Sequence, residues 1–225
     1  MKKILIKIAL IILIIVLIVI GYFYFIGKSL YNKKIAQISI QDKVEQIRNS
    51  EHYTTLNDVP KDYLNAIIAV EDHRFYEHGA VDYIALARAG VTNFREKELV
   101  EGGSTITQQV AKNMYFITDG DGVDRKVAEL LVAEKLEKLY SKDEILELYI
   151  NIIYFGDGYY CVYDAAQGYF NKEPKDMTLY ESALLAGIPN APSVYSPTVN
   201  PDLAKKRQEK VIKDMIKYKY ITECP

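Results

Sequence analysis

Glu71 is the first residue whose placement asks for chemistry. Leu64, Ile67 and Ile68 recur at helical spacing after Pro60, Glu71 follows on the same stripe, and Phe75 comes one turn later. A carboxylate on a buried stripe loses hydration, so its pKa rises and it becomes a candidate general base. A rim glutamate paired with Arg74 or a lysine would show the same spacing, and both readings stand. Glu129 shares a face with Val132, Ala133 and Leu136; its competing reading is an i,i+4 pair with Arg125. Arg207 shares a face with Ala204, Val211 and Tyr218, where a snorkelling arginine covering the core would also sit.

Residues 102–109 read GGSTITQQ. Gly102 and Gly103 permit close backbone approach, and Ser104 is placed to cap a helix running to about Tyr115. Free N–H groups and hydroxyls at a helix start suit an anionic oxygen such as phosphate. An ordinary capped loop has the same pattern, and no Walker A lysine follows. Lys112, Arg125 and Lys126 could form a local basic cluster beside this turn, or be solvated helix charge. Metal motifs are poor. His73 and His78 fall on different helix faces. Asp119-Gly120-Asp121-Gly122 starts like a calcium loop, but its twelfth position is Leu130 rather than Glu. Cys161 and Cys224 make neither a disulfide framework nor a four-ligand zinc site.

The elements that must position these groups are mostly helices. Pro60 opens one expected to run to about His78. Ser141 to Glu144 and Thr178 to Glu181 read as capping boxes. Gly187 and Pro189 end the second of these helices, and Asn200-Pro201 opens a last one to about Tyr218. Tyr159 to Tyr163 is at best a short extended piece, and residues 79–124 are expected to form an irregular smaller part. The fold class is mainly α. Upstream, Ile8 to Ile26 is an uncharged apolar run of bilayer-crossing length, with Lys2, Lys3 and Lys7 before it and Lys28, Lys33 and Lys34 after it. Its aromatic end, Tyr22 to Phe25, fits an interface anchor better than a cleavable signal. Residues 28–54 read as a stalk. With those six lysines and no acid in residues 1–34, the rest of the chain carries 22 basic and 30 acidic residues, a formal −8. An acidic body argues against a nucleic-acid binder.

EDHRFYEH (71–78), GGSTITQQVAKN (102–113), RKVAE (125–129), SKDEILELYINIIYFG (141–156) and SALLAGIPNAPSVYSP (182–197), with Arg207 to Val211, occur in that order. Together they resemble glycosyltransferase family 51, the peptidoglycan glycosyltransferase module of class A penicillin-binding proteins and their monofunctional relatives. The resemblance covers about residues 55–220. It implies a lysozyme-like, two-lobed helical domain over 55–225, behind a transmembrane anchor over 1–27. The activity it implies is polymerisation of lipid II into β-1,4 glycan strands, with inversion at C1 and release of undecaprenyl pyrophosphate.

By the same resemblance, Glu71 is the general base, and Glu129 is the second catalytic glutamate, organising the pyrophosphate through a divalent cation (Mg or Mn) or nearby basic residues. Asp72, Phe75, Gly103, Ser104, Thr105 and Gln108 match substrate-binding positions. So do Gln109, Lys112, Arg125, Lys126, Asn151 and Arg207. No organic cofactor and no nucleic acid are implied. The partners implied are the membrane, lipid II and the lipid-linked chain, with transpeptidases and cell-division or elongation proteins beyond them. The expected topology is a single pass with the N-terminus cytoplasmic and the catalytic domain outside. The body is too short for a transpeptidase domain of ordinary size. Ala80 and Cys161 stand where many relatives have glycine, and the Asp119–Gly122 loop stands where many carry a basic residue. The rival readings are a lytic transglycosylase or muramidase on the same fold, and a non-catalytic membrane-anchored scaffold.

Overall fold

The computed structural model of the 225-residue chain describes residues 2–96 and 103–223. Gly102 and Cys224 therefore lie outside the described residues. Eleven α-helices occur among them: α1 (Lys2–Gln37), α2 (Ile40–Arg48), α3 (Lys61–Glu71), α4 (Tyr83–Glu96), α5 (Ile106–Tyr115), α6 (Val123–Leu139), α7 (Lys142–Ile152), α8 (Val162–Phe170), α9 (Leu179–Gly187), α10 (Pro192–Tyr195) and α11 (Pro201–Lys217). No strand occurs among the described residues; Tyr159 accepts a hydrogen bond from the Phe155 N–H in a turn instead.

The expected capping boxes are both formed, at Ser141/Glu144 and Thr178/Glu181. They satisfy N–H groups that an α-helix start leaves without partners. Two expectations fail at helix ends. α5 is capped by Thr105, whose hydroxyl accepts from the Gln108 N–H, and not by Ser104. α3 stops at Glu71 rather than continuing to His78, because Asp72 leaves helical geometry (φ −160°, ψ 73°). Phe75 reaches the core from a separate 3-10 turn, Phe75–Glu77. Glu71 thus stands at the exit of a helix, where a side chain can face a cleft.

The segment read as a stalk is not one. α1 continues without a break past the bilayer-length run to Gln37, and α2 places Ile40 and Val44 in the core. Helix α1 is long and apolar enough to cross a membrane, and its apolar window is unburied by the rest of the protein. Its far end packs along α6. Gly27 is the contact point: a Cβ there would lie 2.5 Å from the Val127 side chain and 2.9 Å from the Asp124 carbonyl. Lys34 then bonds to Asp119 at 2.5 Å and lies over the Phe116 ring.

The helices form two packing groups. α5 packs on α6 and α7, while α3 packs on α9 and α11. Between them Phe75, Ile106, Leu136, Leu146 and Tyr149 belong to one buried core. The end of α3, the start of α5 and the first turns of α6 converge at the junction.

Candidate active site

A cleft of about 430 Å³ opens at that junction. It is lined by Glu71, Ser104, Gln108, Gln109, Lys112, Lys126 and Glu129, with Tyr154 and Pro189 closing one side. A second cavity, of about 180 Å³, shares Glu71 and is lined by Asp72, His73, Arg207, Lys210 and Lys217. Glu71 therefore borders both of these cavities, each carrying lysine or arginine.

The Glu71 side chain is 9% exposed. Its Oε2 accepts a hydrogen bond from Gln109 at 2.8 Å, while Oε1 has no hydrogen-bond partner and lies 3.9 Å from the Arg207 guanidinium. Burial raises its pKa above the ordinary carboxylate value. The Gln109 bond and the Arg207 charge oppose that rise, and Asp72 adds to it. A desolvated carboxylate with one free oxygen can take a proton.

Glu129, 2% exposed, lies between Arg125 at 3.0 Å and Lys126 at 3.2 Å. It is the i,i+4 partner of Arg125, and it also lines the cleft. The Arg125 contact is an ion pair whose angles do not make a hydrogen bond. Lys126 also donates to Ser104 Oγ at 3.3 Å and Gln108 Oε1 at 3.1 Å. The Lys112 ammonium lines the cleft and has no partner among the described residues. Arg125 does not line the cleft; Glu129 and Asp121 hold its guanidinium.

Several expected substrate contacts are used inside the protein instead. Phe75 has no exposed surface and packs under Lys142. Asn151 accepts from the Thr54 N–H and donates to the Thr54 and Glu147 carbonyls, each at 2.8 Å. Thr105 caps α5 and donates to the Ala80 carbonyl, which Gln108 also reaches. Gly103 lines only a small recess beside Glu71 and Asp72. The start of α5 is not an open anion site. Asp72 Oδ2 accepts the Ile106 N–H at 3.1 Å, so a carboxylate of the chain itself sits at the positive end of the helix. Arg207 donates to the Gly187 carbonyl and lies near the Tyr195 ring.

The residues do not fit a resident metal. Each oxygen of Glu129 already faces a cation. In the Asp119–Gly122 loop, Asp119 pairs with Lys34 and Asp121 with Arg125. Asp72, His78 and Asp82 do lie together. However, Asp82 accepts from the Ile84 and Ala85 N–H groups and pairs with Arg74. Asp72 is filled by His78 and Ile106. Cys161 caps α8, and burial pushes its thiol up to about 11, so it is not a nucleophile at neutral pH.

Residues 37–216 match the family model described as Transglycosylase. The chain belongs to that family. The match includes residues 37–54 of the segment expected to be a stalk, consistent with the packing of α2. This transglycosylase is 41% identical, over 98% of its length, to penicillin-binding protein 1F of Bacillus subtilis (strain 168), of which it covers 32%. It is 49% identical over 76% of its length to penicillin-binding protein 1A of Neisseria lactamica, covering 21% of that protein. A Cupriavidus necator protein named as a transglycosylase is 43% identical over 80% of this chain, which spans 77% of it. The chain thus spans a third or less of these penicillin-binding relatives. A solved structure of penicillin-binding protein 1A from Haemophilus influenzae aligns with 75% of this chain and 15% of its own, at 25% identity and a TM-score of 0.44.

Two arrangements in this transglycosylase are not legible in residue spacing. His78 bridges Asp72 and the Gly79 carbonyl. Tyr149, buried on α7, has a hydroxyl without a partner, and its ionisation is opposed by burial and by the charge of Glu71. Nothing in helical periodicity separates Tyr149 from an ordinary core residue.

Proposed function

We propose that the protein is a peptidoglycan glycosyltransferase that polymerises lipid II into β-1,4 glycan strands. The observation that carries this reading is Glu71, a desolvated carboxylate on the border of two cavities that each carry lysine or arginine beside their acids. Each substrate of such a reaction is a lipid-linked sugar diphosphate, so each needs positive charge on its own side of the base.

In this reading Glu71 takes the proton from the acceptor's 4-hydroxyl. That oxygen forms a bond to C1 of the lipid-linked chain while the bond from C1 to the diphosphate oxygen breaks, which inverts C1. The diphosphate leaves with the bonding pair. Lys112 and Lys126 stabilise its growing charge from the larger cleft. Glu129 holds Lys126 in place through their ion pair, and Gln109 orients Glu71. Because the carboxylate of Glu129 is already matched by Arg125 and Lys126, no step is routed through a metal.

The lipid chains explain the anchor. Helix α1 would cross the membrane once, with the N-terminus cytoplasmic and the cleft outside, at the surface where its substrates lie. Transpeptidases and division or elongation proteins are the partners that new glycan strands would need. The test is purified full-length protein with lipid II in detergent. Long glycan strands are expected. Shortening of preformed sacculi without polymerisation would make it a lytic enzyme instead, and neither activity would favour a scaffold.

A further inference from the structure

A separate cavity, of about 180 Å³, lies between α1 and α6 and shares no residue with the cleft. It is lined by Lys28 and Tyr31 of α1 and by Leu131, Glu134, Lys135 and Lys138 of α6. Helical spacing puts these α6 residues on a different face from Lys126 and Glu129. The space is several times what one water needs. Three lysines and one glutamate give the lining a net charge of +2. Elsewhere on the same two helices, Lys34 and Lys126 are each matched by an acid. The cavity lysines are not. Among the described residues the Lys28 ammonium has only the Tyr31 ring, 4.3 Å away, and no acid pairs with Lys135 or Lys138. The Tyr31 hydroxyl has no hydrogen-bond partner among them either. Ammonium groups that share a cavity repel one another, and an anion between them removes that cost.

The apolar run of α1 fixes where this cavity sits. Ile8 to Ile26 extends about 28 Å as a helix, close to the roughly 30 Å of a bilayer core. Lys28 follows two residues later, about 3 Å further along the axis. The polar layer outside a bilayer core is about 5–7 Å deep, so Lys28 falls inside it. Tyr22, Tyr24 and Phe25 are exposed just before that point, where aromatic side chains sit at the edge of a membrane. The anion that is abundant at this level is the phosphodiester of a lipid headgroup.

We propose that the cavity between α1 and α6 binds the headgroup of an anionic phospholipid from the membrane that α1 crosses. The lysines meet the phosphate as point charges, the Tyr31 hydroxyl donates to one of its oxygens, and Leu131 packs on the carbons below. A headgroup held there bridges the membrane helix and the helix that carries Lys126 and Glu129, and so sets how the domain rests on the bilayer. The proposal rests on α1 crossing the membrane and is independent of the reaction catalysed in the cleft.

The test uses full-length protein in phosphatidylcholine bilayers with a trace of spin-labelled phosphatidylglycerol or spin-labelled phosphatidylcholine. Electron paramagnetic resonance measures the fraction of each label held at the protein surface. Phosphatidylglycerol should be held several-fold more strongly than phosphatidylcholine. Replacing Lys28, Lys135 and Lys138 together by Gln should remove most of that preference. Replacing Lys2, Lys3 and Lys7 by Gln removes as many charges at the other end of the span and should leave most of it. Exchanging chloride for inorganic phosphate at constant ionic strength should change little, because the lipid is already concentrated at the site. Equal retention of the two lipids by the wild type would overturn the proposal, as would a preference that survives the loss of the cavity lysines. A preference abolished by inorganic phosphate would make this a site for free anions instead. No retained lipid of either kind would show that α1 does not span, and would overturn it too. Should the triple variant not fold, Lys135→Gln with Lys138→Gln, both at exposed positions, keeps the comparison. The label is read whether or not the chain polymerises lipid II, so failure of the enzyme reading is seen separately.

Discussion

Glu71 shows how one side chain can be legible as chemistry before its surroundings are known. An acid on an apolar stripe has to be desolvated, and the structure finds it so, with its pKa raised by burial. Two measurable consequences follow. Glu71→Gln should lower polymerisation at least about a hundredfold, measured as glycan formed from lipid II. The same change should leave the fold as stable or more stable. In the unfolded chain the carboxyl ionises near 4.5, whereas in the folded chain it ionises only at higher pH. Its contribution to stability is therefore present below 4.5 and lost as pH rises through the folded value. Thermal unfolding of the two proteins should match at low pH, with the wild type falling behind toward neutrality; a destabilised Gln variant at neutral pH would refute the burial argument. Lys112 is the complementary case. It is exposed and its ammonium has no partner among the described residues, so Lys112→Ala should leave the melting temperature within a degree or two. If it meets the leaving diphosphate, kcat should still fall roughly a hundredfold. Equal kcat in the two proteins would remove it from the reaction.

At the scale of elements, the helices that carry strong local signals were readable, and the helix ends that depend on distant partners were not. The capping boxes are reciprocal bonds within four residues, so the sequence contains both halves. The stop after Glu71 is different. It comes with an Asp72 side chain bonded to His78 and to the start of α5, 34 residues away, a partner no periodicity reveals. The choice of Thr105 over Ser104 as cap likewise depends on the Ala80 carbonyl, which takes the other bond of Thr105. Asn151 makes the same point about function. It stands in a motif whose resemblance implies substrate binding, yet its amide ties Thr54 to α7 through three bonds. Asn151→Ala would leave the buried Thr54 N–H without its acceptor, at about 1–3 kcal/mol for each group stranded. The expected result is a melting temperature lowered by several degrees with kcat per folded molecule nearly unchanged. A stable protein with collapsed kcat would instead place Asn151 at the substrate.

For the whole molecule, the charge and the anchor turn out to be one subject. A body of net negative charge seems a poor host for diphosphates, but the cleft collects Lys112 and Lys126 locally, and the nearby acids are matched. Asp119 holds Lys34 of α1, and Asp121 holds Arg125 of α6. The Asp119–Gly122 loop thus fastens α1 to α6, the helix that carries Lys126 and Glu129. This could not be read from a segment that looks like a polar stalk, because its apolar residues are few and their partners lie some 90 residues further on. The closest approach is at Gly27, where only a hydrogen fits against Val127, the residue next to Lys126. A larger side chain there must push α1 away from α6 or shift α6 itself, and overpacking of this kind costs about 1–3 kcal/mol. Gly27→Leu should therefore keep the protein in the membrane fraction, since the apolar span is unchanged, while lowering lipid II polymerisation several-fold. Gly21 is the control, because a side chain there meets nothing within 4 Å, and Gly21→Leu should be silent in both assays. If Gly27→Leu polymerises as fast as the wild type, α1 is a tether only, and the geometry of the cleft is set without it.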